Sequence, residues 1–171
     1  TAYWRWFFTF EIFSWGDWGY QNPEFIRQLF NFPQAWHREF LGMVDIGLPQ
    51  YLTARLFYAA FAQFLPFVGY DRLVFLWPVV IVPALGVFFL AKQNSQNAFA
   101  GFVAVIVYMF NSYLLLLYTG HLTLAMAYGL APFVFLLFKQ ALYKLSLKYA
   151  IGAGLVSILA AGYEPRGFYI V

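Results

Sequence analysis

The sequence predicts an all-α, polytopic helical membrane protein, with about four to five transmembrane helices and juxtamembrane helices in a long first outer loop. Hydrophobic residues make up 63% of the 171 residues and charged residues only 10%, whereas soluble domains are about half apolar and about a quarter charged. Between Leu73 and Phe138 the only formally charged residue is Lys92. The apolar residues also form long runs instead of following amphipathic spacing.

Four apolar runs have lengths that approach or match a crossing of the bilayer's hydrocarbon core, which takes about 20 helical residues. They cover residues 72–91, 98–118, 122–138 and 149–162. Pro78 and Pro83 predict a kink in the first run, and neighbouring helices must then satisfy the freed backbone groups. Asn111, in the second run, is expected to hydrogen-bond to a facing helix.

The first part of the chain differs in composition from the rest. Residues 1–13 are aromatic with two interrupting charges, which predicts the end of a first helix or an interfacial segment. Six of the seven acidic residues fall in the first 71 positions, so we interpret residues 14–71 as an outer loop with juxtamembrane helices. Residues 51–68 are expected to be juxtamembrane, lying along the interface or entering a protein-covered groove, and a full crossing of the membrane stays open. Residues 72–171 form the predicted transmembrane bundle.

The lysines predict the orientation of the bundle. All four lie in or beside two short connections, one at Lys92 and one from Lys139 to Lys148. Because short cytoplasmic loops carry an excess of Lys and Arg, both connections are expected in the cytoplasm of a protein integral to the cell (plasma) membrane. The net charge of +3 is then explained by the orientation of the protein in the lipid bilayer, and it does not indicate a nucleic-acid partner. The chain begins at Thr1 without a signal-peptide pattern, so we expect an excerpt or a processed form.

On this topology three polar groups share the outer boundary. Asp17 lies between glycines and tryptophans, a setting that tunes a carboxylate toward a base or a metal ligand, or it is simply a turn-forming aspartate. His121, in the turn between two spans, carries a proton, orients a phosphate or bonds to neighbouring carbonyls. Glu164 and Arg166 clamp an anionic group or form a local ion pair.

Four short motifs lie in this framework: Trp15-Gly16-Asp17-Trp18, Tyr108-Met109-Phe110-Asn111, Gly120-His121-Leu122 and Ala127-Tyr128-Gly129-Leu130-Ala131-Pro132. Together they resemble the N-terminal part of polytopic membrane glycosyltransferases of the GT-C fold, in particular the arabinofuranosyltransferase-like and YfhO-type membrane proteins. Members of that family are usually much longer, so the resemblance implies that this chain is a fragment.

The resemblance implies transfer of a hexosyl or pentosyl group from a polyprenyl-phosphate donor, a lipid-linked sugar, at the outer membrane face. Asp17 would be the catalytic residue, as a general base or as the ligand of a divalent cation. His121, Glu164, Arg166 and Glu24 would bind the donor phosphate or the acceptor. The paired acids of some relatives are not evident beside Asp17, and Glu24 and Glu164 are the candidate substitutes.

Two other functions remain open at this point. The sequence contains no glycine-rich phosphate loop, GxSxG elbow or paired-histidine zinc motif. This absence fits a non-catalytic helical subunit of a larger membrane complex. A transporter or lipid flippase would place polar residues along a path through the membrane, although the spans are nearly uncharged. The absence of cysteine excludes disulfides and thiolate metal ligands.

Overall fold

The computed structural model describes residues 4–9, 36–37, 43–44, 56–64 and 72–164. These residues are almost entirely helical, which agrees with the expected class. The exception is a short antiparallel ladder, in which β1 (Trp36–His37) pairs with β2 (Met43–Val44). Two short helices precede the bundle: α1 (Trp4–Phe8) and α2 (Leu56–Phe64). The nine residues of α2 are about half of what a bilayer crossing requires.

The bundle occupies residues 72–164. A π-helical turn (Arg72–Leu76) leads into α3 (Trp77–Ser95), and α4 (Ala98–Met109), α5 (Ser112–Leu117), α6 (Leu122–Lys144) and α7 (Leu147–Tyr163) follow. Helices α3 and α6 are long and apolar enough to cross a membrane by length and composition, whereas α4 and α7 are apolar but shorter. Both long helices extend past the ends of the expected spans. Their last turns are polar and carry lysines, and a lysine suits a helix C-terminus.

The bundle helices pack in the order α4, α3, α6, α7, since α3 contacts α4 and α6, and α6 contacts α7. Two short turns connect antiparallel neighbours in this row. Gln96 and Leu145 take left-handed backbone conformations (φ 56° and 47°) in these turns, as residues that end helices often do. Helices α3 and α6 run parallel, because Gly86 lies against Phe133 while Asn94 contacts Lys139 further along.

A proline inside α3 removes one backbone donor, and a tyrosine hydroxyl replaces it. Pro83 has no N–H for the carbonyl of Val79, four residues earlier. The hydroxyl of Tyr118, in the turn after α5, donates to that carbonyl at 3.2 Å. A side chain of the neighbouring segment therefore donates to the carbonyl that the proline leaves without its helical donor, as the sequence predicts.

The same arrangement occurs in α6. Pro132 removes the donor for the carbonyl of Tyr128, and the hydroxyl of Tyr108 on α4 donates to that carbonyl at 2.9 Å. The α4–α5 segment thus supplies one tyrosine to each proline-containing helix. Two apolar helices with internal prolines are tied to the same neighbour by hydrogen bonds that lie within the bundle.

Asn111 interrupts the second expected span and separates α4 from α5. Its side-chain oxygen accepts from the backbone N–H of Leu114 at 2.8 Å, and its amide donates to the carbonyl of Tyr108. Its own backbone is extended, as in an N-cap. We expected Asn111 to hydrogen-bond to a facing helix, and that expectation was wrong. Both side-chain bonds go to backbone groups three residues away, because a short amide side chain reaches the nearby backbone first.

Replacing Asn111 by alanine should lower the free energy of unfolding by about 1 kcal/mol, since it removes an N-cap. Thermal unfolding of the purified protein in detergent, followed by circular dichroism, measures the loss. Asn97 caps α4 in the same way, through the N–H of Phe99 at 2.8 Å, so Asn97→Ala should cost a similar amount. A negligible effect at both positions would contradict this account of the helix starts.

Candidate functional site

The two lysine-bearing connections meet at one end of the bundle, which we call the basic end (Lys92, Lys139, Lys144 and Lys148). The contact that joins them is a hydrogen bond from the Nζ of Lys139 to the Oδ1 of Asn94. The opposite end, which we call the His121 end, contains the starts of α3 and α6 and the end of α7. The sequence therefore predicts correctly that both basic connections share one end.

His121 and Glu164 both lie at the His121 end, but one is exposed and the other is buried. His121 is exposed at the N-cap of α6, and its backbone N–H bonds to the carbonyl of Leu117 at 2.8 Å. Glu164 ends α7, is 7% exposed, and donates its N–H to Ala160 at 3.1 Å.

The packing of α6 against α7 places Glu164 at this end. Gly152 lies against Leu137, and the two helices are antiparallel, so the end of α7 lies toward the start of α6. Tyr163, the last residue of α7, is buried in one core cluster with Leu122 and Ala125. The structure brings an exposed imidazole and a buried carboxyl group to the same end of the bundle.

Arg72 is a charged residue at the His121 end that the sequence-based site does not include. It begins the π-helical turn, is 5% exposed, and its Nη2 lies 3.5 Å from the hydroxyl of Thr9. Arg72 and Glu164 are the buried charged residues in the described part of the chain. The signal was present in the sequence, because an arginine that opens a long apolar run is costly unless it has a role inside the protein.

The remaining predicted site residues, Asp17, Glu24 and Arg166, lie outside the described residues. Within residues 4–9, 36–37, 43–44, 56–64 and 72–164, no three His, Cys, Asp or Glu side chains are grouped so that they could hold a metal ion. The described part of the candidate site thus consists of His121, Glu164 and Arg72.

A long apolar groove runs beside α4, and we call it the α4 groove. Its volume is about 740 Å³, and it is open at the side of the bundle. The lining side chains come from α3, from the whole length of α4, from the residue that separates α4 from α5, and from α6: Val87, Phe99, Ala100, Val103, Ala104, Val107, Tyr108, Asn111 and Tyr128. Its far end, at Asn111, points toward the His121 end, because α4 leaves the basic end at Ala98.

A second cavity of about 470 Å³ lies between α3 and α6, and we call it the α3–α6 cavity. It shares Val87, Ala104, Tyr108 and Tyr128 with the α4 groove. Its other lining residues lead toward the basic end: Leu90, Ala91, Asn94, Ala131, Pro132 and Phe135. Asn94 is the residue that bonds to Lys139, so this cavity ends beside a cation.

Two stacked tyrosines form the wall shared by the groove and the cavity. The rings of Tyr108 and Tyr128 lie 5.0 Å apart and 11° from parallel, and Tyr113 packs edge-on against Tyr128 at 5.3 Å. The hydrogen bond from Tyr108 to the Tyr128 carbonyl fixes this stack. The sequence motifs contain both residues but give no indication of a cavity, since the cavity arises from the packing of three helices.

No protein family, curated protein or solved structure matches the chain.

Proposed function

We propose that this chain is an integral protein of the cell membrane, crossing the bilayer four or five times. In the most apolar stretch of α3 22% of the residues are buried, and in that of α6 44%. The core helix of a soluble protein would be mostly buried, so these helices leave large apolar surfaces for another apolar phase. Helix α7 adds an exposed stripe: Leu147, Ile151, Leu155 and Ile158.

Within that membrane, we propose that the chain is part of a GT-C-like glycosyltransferase whose donor is a sugar on a polyprenyl phosphate. The α4 groove is the observation on which this proposal depends. A lipid-linked donor needs an apolar groove that is open toward the bilayer, with polar groups near one end. The groove is lined by alanine, valine and aromatic side chains, and it ends at the amide of Asn111.

The reacting groups belong, on this proposal, at the His121 end. Asp17 is the proposed catalytic residue, and His121, Glu164, Arg166 and Glu24 are proposed to bind the donor phosphate or the acceptor. The burial of Glu164 and Arg72 supports this end, because buried charged groups in membrane proteins are costly and are usually retained for function. The donor chain would lie along α4 while its phosphate meets these groups.

Filling the α4 groove tests the proposal. In full-length protein, a photoreactive polyprenyl-phosphate sugar should label the wild type, and Ala104→Trp should reduce both labelling and sugar transfer several-fold. Ala104 lines the groove, whereas Ala150 is exposed on α7, so Ala150→Trp is the matched control and should behave as wild type. Asp17→Asn should lose transfer but keep labelling.

The proposal fails in either of two ways. Equal labelling of the wild type and Ala104→Trp would show that the donor chain does not lie in the groove. Unchanged transfer by Asp17→Asn would remove that residue from the mechanism.

A non-catalytic membrane subunit is the second candidate, and the exposed stripe of α7 favours it. Side chains at positions 147, 151, 155 and 158 form one continuous apolar face, which suits either lipid or a helix of another subunit. Stoichiometric isolation with a larger complex, together with no labelling by the lipid-linked sugar, would support the subunit and exclude the enzyme.

A further inference from the structure

The basic end gathers four lysines without a carboxylate among the described residues. In residues 4–9, 36–37, 43–44, 56–64 and 72–164 the only acidic side chain is Glu164, which lies at the opposite end of the bundle. The positive charge at the basic end is therefore not neutralised within the described part of the protein. It needs solvent or an anionic ligand.

The contacts of these lysines are with rings and polar oxygens. Lys92 lies 5.8 Å from the ring centre of Phe88, and Lys144 lies 4.8 Å from that of Tyr149. Lys139 lies 5.5 Å from the ring centre of Tyr143 and also bonds to Asn94. An ammonium group has three donors, so Lys139 keeps donors for a further oxygen ligand.

The α3–α6 cavity places an apolar space directly beside Lys139. The cavity ends at Asn94, and Asn94 accepts the hydrogen bond from Lys139. Its volume of about 470 Å³ lies in the range of pockets that bind small ligands. A ligand that fits both features has an apolar chain joined to an anionic group.

We propose that the α3–α6 cavity binds one acyl chain of an anionic phospholipid, whose phosphate contacts Lys139. This inference rests on the proposed membrane location, but not on the glycosyltransferase activity. The lipid comes from the leaflet that faces the basic end, whereas the sugar donor enters the α4 groove from the other end. Basic pockets between transmembrane helices on the cytoplasmic side are known to bind anionic lipid headgroups.

The turn between α6 and α7 provides independent support for contact with a membrane surface. Leu145 is 91% exposed, Tyr143 79% and Leu147 75%, and Lys144 lies among them. Exposed apolar and aromatic side chains interleaved with lysines are typical of segments at the headgroup level of a bilayer. A soluble phosphate or an acidic peptide would leave these apolar side chains in water.

Lipid binding to the detergent-purified protein tests the inference. Mass spectrometry of the intact complex should detect phosphatidylglycerol bound at least fivefold more tightly than phosphatidylcholine with the same chains. Lys139→Gln should reduce phosphatidylglycerol affinity about fivefold, the effect of one lysine beside an anionic lipid. Lys148→Gln makes the same change of charge on α7, away from the cavity, and should change the affinity by less than twofold.

A second variant tests the chain site. Ala91 lines the cavity, so Ala91→Phe should weaken both lipids several-fold while the unfolding temperature in detergent stays within a few degrees. Equal losses for Lys139→Gln and Lys148→Gln would overturn the site in favour of diffuse charge. Full displacement of the lipid by inorganic phosphate would overturn it in favour of a phosphate site.

Failure of the membrane proposal gives a different result. Release of the chain from membranes by alkaline carbonate would refute the membrane location itself. A chain that stays in the membrane fraction but binds the two lipids equally would refute only the phospholipid site.

Discussion

Replacing Tyr118 by phenylalanine should lower the free energy of unfolding by about 1–3 kcal/mol, although it removes a single oxygen atom. The Tyr118 hydroxyl is the donor to the Val79 carbonyl, which lost its helical donor because position 83 is proline. A buried carbonyl without a partner costs about this much. Tyr118 is 4% exposed and Val79 2%, so water cannot easily replace the hydroxyl.

A double-mutant cycle with Pro83→Ala isolates this explanation. Alanine restores an N–H at position 83 that can reach the Val79 carbonyl, so Tyr118→Phe should cost clearly less in the Pro83→Ala background. Tyr113→Phe is the matched control, because Tyr113 packs on a ring and is 39% exposed. Equilibrium unfolding in mixed detergent micelles gives the four free energies. Equal costs of Tyr118→Phe in both backgrounds would contradict the hydroxyl–carbonyl account.

The prolines show how far the sequence alone predicts this fold. A proline in an apolar run predicts a freed carbonyl and requires a donor from a neighbouring helix. Which side chain supplies the donor depends on the register between helices, and no local pattern specifies that register. Tyr108 and Tyr118 could therefore be identified only from the structure, whereas the runs that contain Pro83 and Pro132 were evident from composition.

The candidate site, like the fold, could be predicted from the sequence only in part. The placement of His121 and Glu164 at one end follows from counting spans and turns, and the structure agrees with it. The burial of Glu164 and of Arg72 does not follow from the count, because it depends on how the end of α7 and the π-helical turn pack against the rest of the protein. Asp17 lies outside the described residues, so its part in the site stays a prediction.

The groove and the cavity could not be predicted either. Their walls consist mostly of apolar and aromatic side chains that in sequence look like any lipid-facing surface. Small residues such as Ala91 and Ala104 line this space together with the Tyr108–Tyr128 stack. The placement of these residues depends on how each helix is rotated about its own axis. The sequence of α3 does not determine its rotation, because this helix is apolar on all sides.

Replacing Gly129 by alanine should also destabilise the bundle by about 1–3 kcal/mol, and leucine should cost more. An added Cβ at position 129 would clash with the Cγ of Pro83, far inside van der Waals contact. The proline ring has no rotamer by which to move away, so α3 and α6 must separate, which is the usual cost of overpacking.

Gly154, on α7, gives the opposite expectation and serves as the control. Nothing lies within 4 Å of a Cβ added there, so Gly154→Ala should stabilise the helix by about 0.5–1 kcal/mol. Equilibrium unfolding of both variants in detergent measures the two changes in the free energy of unfolding, which should have opposite signs.

Gly129 follows Tyr128, whose ring lines both the α4 groove and the α3–α6 cavity, so separation of α3 from α6 should also weaken labelling by the lipid-linked sugar. Gly129→Ala with unchanged stability would show that the close approach of α6 to Pro83 is absent in solution.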